Sequence, residues 1–301
     1  MSSPFALRAL ADGRQTGRAL DLNKLKDKRS TASKSIFGCL HFFLFMKVGF
    51  TALALFDVSI DQIVQRAHAD GFDVVEVLCE GPYLPRYALK NISQFEILSQ
   101  YNVELTIHSP TVDLNPASVN IGIREETFKQ LNETVDFAAS IDASTVTTHP
   151  GYVKRISERL TIRSLALALQ GLEKWAEYAK DVGVAPAIEN MPRNSKYFCT
   201  DVAQHKLFVE TCGTLATIDV GHAHTNNAVR EFLQADVKVA YHHVSDNDGQ
   251  RDQHLPIGEG TIDWEQLRGI NKAIIEVNDY GAVKESRNKL LSVAKAGTSE
   301  R

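Results

Sequence analysis

From Met46 onward the chain changes its hydrophobic period again and again, and that alternation limits the folds open to it. Short β-like runs occur at KVGFT (47–51), DVVEVLC (73–79), VELTIH (103–108), STVTTH (144–149), VAPAIEN (184–190), LATIDV (215–220), VKVAYHHV (237–244) and KAIIEV (272–277). They are rich in Val, Ile and Thr and mostly lack polar alternation, as strands covered on both faces should. Between them lie amphipathic stretches. Leu165, Leu169, Leu172, Ala176 and Ala179 step by four and three along one helical face, and Ile60, Ile63, Val64 and Ala67 do the same in the first helix. Ser59 is the expected N-cap of that helix, and Gly71 and Gly183 are expected helix stops. Eight βα units in about 250 residues are the count and size of an α/β protein of the (β/α)8 TIM barrel type. A doubly wound open sheet would want a Gly-rich phosphate turn after its first strand, and GFTALALFD has none.

In a barrel of this kind the site lies at the C-terminal ends of the strands. The third run ends in His108, the fourth in His149 and the fifth in Glu189. The sixth supplies Asp219 with His222 three residues on, the seventh His243 with Asp252 and His254 in the loop beyond, and the eighth Glu276. A single His at a strand end means little, because a buried imidazole needs only a hydrogen-bond partner. Six consecutive strands ending in His, Asp or Glu are different, since burying that much charge without a counter-ion costs several kcal/mol per group. Divalent cations remove the penalty, and a His/Asp/Glu set without Cys suits Zn²⁺, Mn²⁺ or a similar ion.

The words IHSP, THPG, AIENMP, IDVGHAH, HVSDN, DQHLPIGEG and IIEV, in that order, resemble the xylose-isomerase-like barrel superfamily. It contains sugar-phosphate isomerases and epimerases and also endonuclease IV (AP endonuclease family 2). The resemblance runs from Met46 to the last helix. Carried over from the ketose 3-epimerases, it implies one metal on Glu189, Asp219, His243 and Glu276, with Glu189 and Glu276 as the acid/base pair. Carried over from endonuclease IV, it implies three zinc ions. His108, His149 and bridging Glu189 would hold the first, Glu189, Asp219, His243 and Glu276 the second, and His222, Asp252 and His254 the third.

All nine positions match, which favours clustered metals and phosphoester cleavage. Three features favour the isomerase branch instead. The formal charge is −4, but residues 1–45 hold eight Lys/Arg and three Asp, or +5, which leaves 25 Lys/Arg and 34 Asp/Glu, or −9, for the body. A duplex-binding surface needs basic contacts to phosphates. The position where the endonuclease pattern places a stacking Tyr is Thr111, and the loops beyond the strands are expected to be short. The leading expectation is a divalent-metal-dependent isomerase or epimerase acting on a small sugar or sugar phosphate. The alternative is a zinc phosphodiesterase acting on abasic DNA.

Around these ligands, Glu76 should point into the barrel, as a substrate contact or as the partner of a ligand His. Tyr83, Arg86 and Tyr87 could clamp a phosphate or stack on a base, or simply form a Pro-stiffened rim loop. His224 could orient His222 or touch substrate, and Asp246 and Asn247 could support the ligands. Strand alternation sends His242 and His243 to opposite faces, and the H-V-S-D spacing of the resemblance makes His243 the ligand and His242 a packing or supporting residue, while His68 and His205 are expected at the surface. Gly258 and Gly260 should let the loop turn sharply, and Asp263 and Glu265 should open the seventh helix.

Residues 1–45 read as a disordered basic extension and 297–301 as a tail, leaving 46–296 as the barrel. IFGCLHFFLF (36–45) is shorter than the ~20 residues a membrane span needs, so no membrane association is expected. Cys39, Cys79, Cys199 and Cys212 are scattered without disulfide-like spacing, which points to a reducing, cytoplasmic setting. A homo-oligomer is compatible with all of this.

Overall fold

The computed structural model describes residues 46–153 and 157–296. The expectations for the basic extension and the tail fall outside them. Eight parallel strands close into a barrel in sequence order: β1 Lys47–Thr51, β2 Val74–Leu78, β3 Glu104–His108, β4 Thr145–Thr148, β5 Ala185–Glu189, β6 Leu215–Asp219, β7 Val239–Val244 and β8 Lys272–Ile275. β8 returns to pair with β1, Phe50 lying opposite Ile275.

The outer layer is made of α1 Ile60–Ala69, α2 Pro85–Ala88, α3 Ile121–Ser140, α4 Glu158–Asp181, α5 Val202–Cys212, α6 Val220–Thr225, α7 Val229–Leu233 and α8 Tyr280–Ala296. Ile60, Ile63, Val64 and Ala67 are buried as their spacing requires. On α4 the buried face is Ser164, Ala168, Leu172, Trp175, Ala176 and Ala179, with Leu165 and Leu169 packed at its margin. Side-chain caps start the long helices: Asn120 accepts from Gly122 N, Ser157 from Leu160 N and Asp201 from Gln204 N. Ser59 stands at the N-cap of α1 without a side-chain cap bond.

Two expectations change here. The seventh unit has no full helix, only a 3₁₀ turn Trp264–Leu267 in which Asp263 accepts from Glu265 N. The loops are also not uniformly short: residues 109–120, 190–201 and 245–263 separate strands from the helices or turns that follow.

Side chains point inward at every second strand position, so the barrel interior is layered. Val74, Tyr241 and Ile274 form a small apolar cluster of their own. Two residues further along the same strands stand Glu76, His243 and Glu276. By the same step Thr106 leads to His108, Thr147 to His149, Ala187 to Glu189 and Thr217 to Asp219. Parity alone thus turns six ligand candidates to the barrel interior. Gly49 is required where β1 meets β2, because a Cβ there would lie 2.4 Å from the Val74 carbonyl oxygen.

Candidate metal centre

Glu189 is the hub. Its Oε2 lies 3.2 Å from both His108 Nε2 and His149 Nε2, and its Oε1 lies 2.7 Å from His243 Nδ1. Glu276 Oε1 reaches the same His243 nitrogen at 3.7 Å. Among the described residues, two sets place one ligand atom each within 4.8 Å of all the others: His108, His149 and Glu189, and Glu189, Asp219, His243 and Glu276. His222, Asp252 and His254 form no third such set among those residues. Instead Asp252 Oδ2 stands between the two imidazoles, 3.2 Å from each Nε2.

The histidines are oriented from behind. Nδ1 of His108 faces the Ser109 carbonyl at 2.9 Å, that of His222 the Asn190 carbonyl at 2.8 Å, and that of His254 the Glu276 carbonyl at 2.9 Å. A carbonyl only accepts, so each Nδ1 carries the proton and each Nε2 is turned to the carboxylates, the arrangement usual for metal-ligating imidazoles. His243 is reversed, with Nε2 against Glu76 and Nδ1 toward the cluster.

The electrostatics show why the set suits a cation. Burial pushes the Asp219 carboxyl up to about 7, with Glu189, Glu276 and Asp252 adding to the rise and His222 opposing it. Burial works against charge on Glu189 as well, but His243, His108 and His149 hold it well below the usual carboxylate range. Burial opposes charging His243 and His222, yet the surrounding carboxylates raise both well above 6.5. Without a metal, then, protons on imidazoles balance the acids. Asp219 Oδ2 and Asp252 Oδ1 are nonetheless buried with no hydrogen-bond partner. Buried carboxylate oxygens left without a partner, in a cluster that also holds imidazole nitrogens, are the donor set a divalent cation satisfies, so the residues fit the group.

The loop 245–263 is built on Asp246, not on the ligands. This buried carboxylate accepts from Asn247 N, Gly258 N, Ile262 N and Trp264 Nε1. A backbone bridge between Asp246 and Leu255 closes the hairpin that turns Asp252 and His254 back over the mouth. Gly258 has the expected positive φ of 84°. Gly260 does not, and is needed for close approach instead, since a Cβ there would lie 2.3 Å from Asp246 Oδ1. His254 itself sits at φ 49°, a left-handed conformation costly for a non-glycine residue.

The other candidates have partners of their own. Glu76 is fully buried, and of its two expected roles, substrate contact or partner of a ligand His, the contact to His243 is present, with Tyr241 on the same oxygen. Arg86 is held by Glu126 at 2.8 Å through Nη2 and by Glu133 at 2.9 Å through Nε. Tyr83 is buried and bonded to the Leu55 and Val58 carbonyls, while Tyr87 on α2 is exposed. His224 Nε2 is tied to Thr261 Oγ1 at 2.9 Å rather than to His222. His205 is 1% exposed, not on the surface, with Nε2 directed at the Ile188 carbonyl at 2.9 Å. No local spacing distinguished it from exposed His68.

A family model described as a xylose isomerase-like TIM barrel matches residues 64–274. An uncharacterized protein of Methanocaldococcus jannaschii is 29% identical over 229 residues, 73% of this chain and 77% of that protein. A solved D-tagatose 3-epimerase-like protein matches with a TM-score of 0.75 at 27% identity, over 85% of this chain and 99% of its own. D-psicose 3-epimerase, solved in the presence of D-fructose, matches with a TM-score of 0.66 over 83% and 99% of the two chains, and at 17% identity that likeness shows the fold alone.

Proposed function

Since the chain belongs to the xylose isomerase-like TIM barrel family, we propose that it is a divalent-metal-dependent isomerase or epimerase of a small sugar or sugar phosphate. The observation that carries this reading is the convergence of Glu189 and Glu276 on one imidazole nitrogen, His243 Nδ1, with Asp219 beside them. The likeness to the D-tagatose 3-epimerase-like protein supports it.

Zn²⁺ or Mn²⁺ held by Glu189, Asp219, His243 and Glu276 would polarise a carbonyl and acidify the adjacent C–H. The chain's own residues supply the rest. Glu189 ends β5 and Glu276 directly follows β8, with two strands between them, so their carboxylates enter the mouth from different directions. Two such groups suit removal of a proton from one side of a carbon and its return from another. Glu189 is 1% exposed and His243 fully buried, whereas the Glu276 side chain keeps 13% exposure toward the opening. Water is thus thinned around the proton-transfer groups.

A second reading is favoured by one observation, the closing of Asp252 between His222 and His254. With His108 and His149 on the other oxygen of Glu189, it would complete a three-ion phosphodiesterase acting on abasic DNA. The −9 balance of residues 46–301, reached as above, weighs against a duplex partner. Assaying ketoses and their phosphates for epimerisation beside an abasic duplex for incision separates the two. Incision without any epimerisation would reverse the order of these readings.

A further inference from the structure

Below the ligand layer a line of hydrogen bonds crosses the barrel. Thr217 Oγ1 lies 2.7 Å from Thr147 Oγ1, which lies 2.6 Å from the Tyr241 hydroxyl. Tyr241 donates to Glu76 Oε2 at 2.6 Å, and His243 Nε2 approaches the same oxygen at 3.2 Å and Glu76 Oε1 at 3.0 Å. The direction of this line is fixed by chemistry. A hydroxyl has one proton to give, and Tyr241 gives its own to the carboxylate. Thr147 must then donate to Tyr241, and Thr217 to Thr147. An ionised carboxylate only accepts, so His243 donates to it from the other side. The proton kept on Nε2 leaves Nδ1, which faces Glu189 Oε1 at 2.7 Å, as the nitrogen able to bind a cation.

We propose that Glu76 is a positioning residue of the metal centre: it fixes His243 with Nδ1 toward the cation, and Tyr241 holds Glu76 to that orientation. The inference rests on the metal-binding reading of the cluster and not on which substrate is turned over. Glu76 and His243 are 0% exposed and Tyr241 is 1% exposed, so Glu76 acts through His243 and never meets a substrate. Space-filling alone does not explain it. The positions one step below, Val74 and Ile274, are filled by apolar side chains, and a buried carboxylate is a costly substitute for one.

The test is zinc affinity, measured by competition with a chromophoric chelator, for the wild type, Glu76→Gln and Tyr241→Phe. Each metal-free protein is also melted, and long-range ¹H–¹⁵N correlation of the zinc-loaded wild type locates the His243 proton. The expected proton is on Nε2. Glu76→Gln should bind zinc about 10–100-fold more weakly, and Tyr241→Phe more weakly by a smaller factor, while both metal-free variants melt cooperatively. Unchanged affinity in both variants, a proton on Nδ1, or affinity lost only together with the metal-free fold overturns the inference. A loss confined to Glu76→Gln overturns the part assigned to Tyr241. If Glu76→Gln does not fold, Tyr241→Phe and the spectrum decide. A wild type that binds no zinc overturns the metal reading itself, and this is seen before any variant is measured.

Discussion

His222 and His254 meet at one atom, each presenting Nε2 to Asp252 Oδ2 from a distance of 3.2 Å. Only the three-ion reading needs this arrangement for chemistry. In the isomerase reading Asp252→Asn should change turnover by less than about tenfold, because the acid/base carboxylates and their imidazole are untouched. Steady-state kinetics on a ketose together with metal analysis check this. Collapse of activity alongside loss of a metal equivalent would place the chemistry at Asp252 and contradict the ordering proposed here.

Within 4.0 Å Glu189 reaches the imidazoles of His108, His149, His222 and His243, whereas Glu276 reaches only that of His243 among the described ligand residues. The two glutamates should therefore fail differently. Glu276→Gln should lower turnover by about 10²–10⁴-fold, the usual contribution of a general acid or base, and keep most of the metal. Glu189→Gln should lose turnover and metal together. Equal metal retention in the two variants would show that Glu189 is not the hub.

Metal removal should leave a folded but weaker barrel, since the ladder of strand pairs does not depend on the cluster. A cation present at 100 times its dissociation constant adds about 2.7 kcal/mol, which for a domain of this size corresponds to a Tm change of about 5–10 °C. Melting with and without a chelator reads the difference. No shift at saturating metal would mean that the cluster binds no cation in the native state.

His205 gives a prediction in pH. Burial lowers its pKa below 6.5, the Ile188 carbonyl and the Glu189 charge opposing that effect only in part. The unfolded chain therefore binds more protons than the folded one as pH falls below about 6.5. Stability is fully present above that value and is lost below it, at up to about 1.4 kcal/mol per pH unit. Urea midpoints of the metal-free protein across pH 7.5 to 4.5 should show this slope, and His205→Gln should flatten it. A variant slope equal to that of the wild type assigns the acid sensitivity elsewhere.

Gly260→Ala should cost at least about 1–3 kcal/mol, the usual penalty for overpacking, because its Cβ would press on Asp246 Oδ1 and the Asn247 backbone. The displaced hairpin carries Asp252 and His254, so any metal held there should be lost first. Denaturation and metal titration of the variant check both parts.

The strands were legible because doubly covered β-runs repeat between amphipathic helices, and the ligand layer because inward positions recur every second residue. Parity puts His243 and His242 on opposite faces, and the H-V-S-D spacing picks His243 as the inward one. What escaped reading depends on distant partners. Glu76 meets Tyr241 across 165 residues. Arg86 is taken up by Glu126 and Glu133 on a different helix. His205 is buried by its contact with Ile188 and by the ring of Phe232. Asp246 looked like support for the metal site because it sits among ligands, yet its four bonds build the hairpin. The expected seventh helix opening at Asp263 and Glu265 is a 3₁₀ turn, Trp264–Leu267, and the loop before it is longer than expected.

The most direct measurement is solvent deuterium exchange, followed by NMR, on a panel of ketoses and ketose phosphates with metal-loaded protein. Deuterium should enter at the carbon beside the carbonyl of at least one of them, stop on chelation and return with Zn²⁺ or Mn²⁺. No exchange into any of them by fully loaded protein that incises an abasic duplex would contradict the isomerase reading and install the phosphodiesterase one.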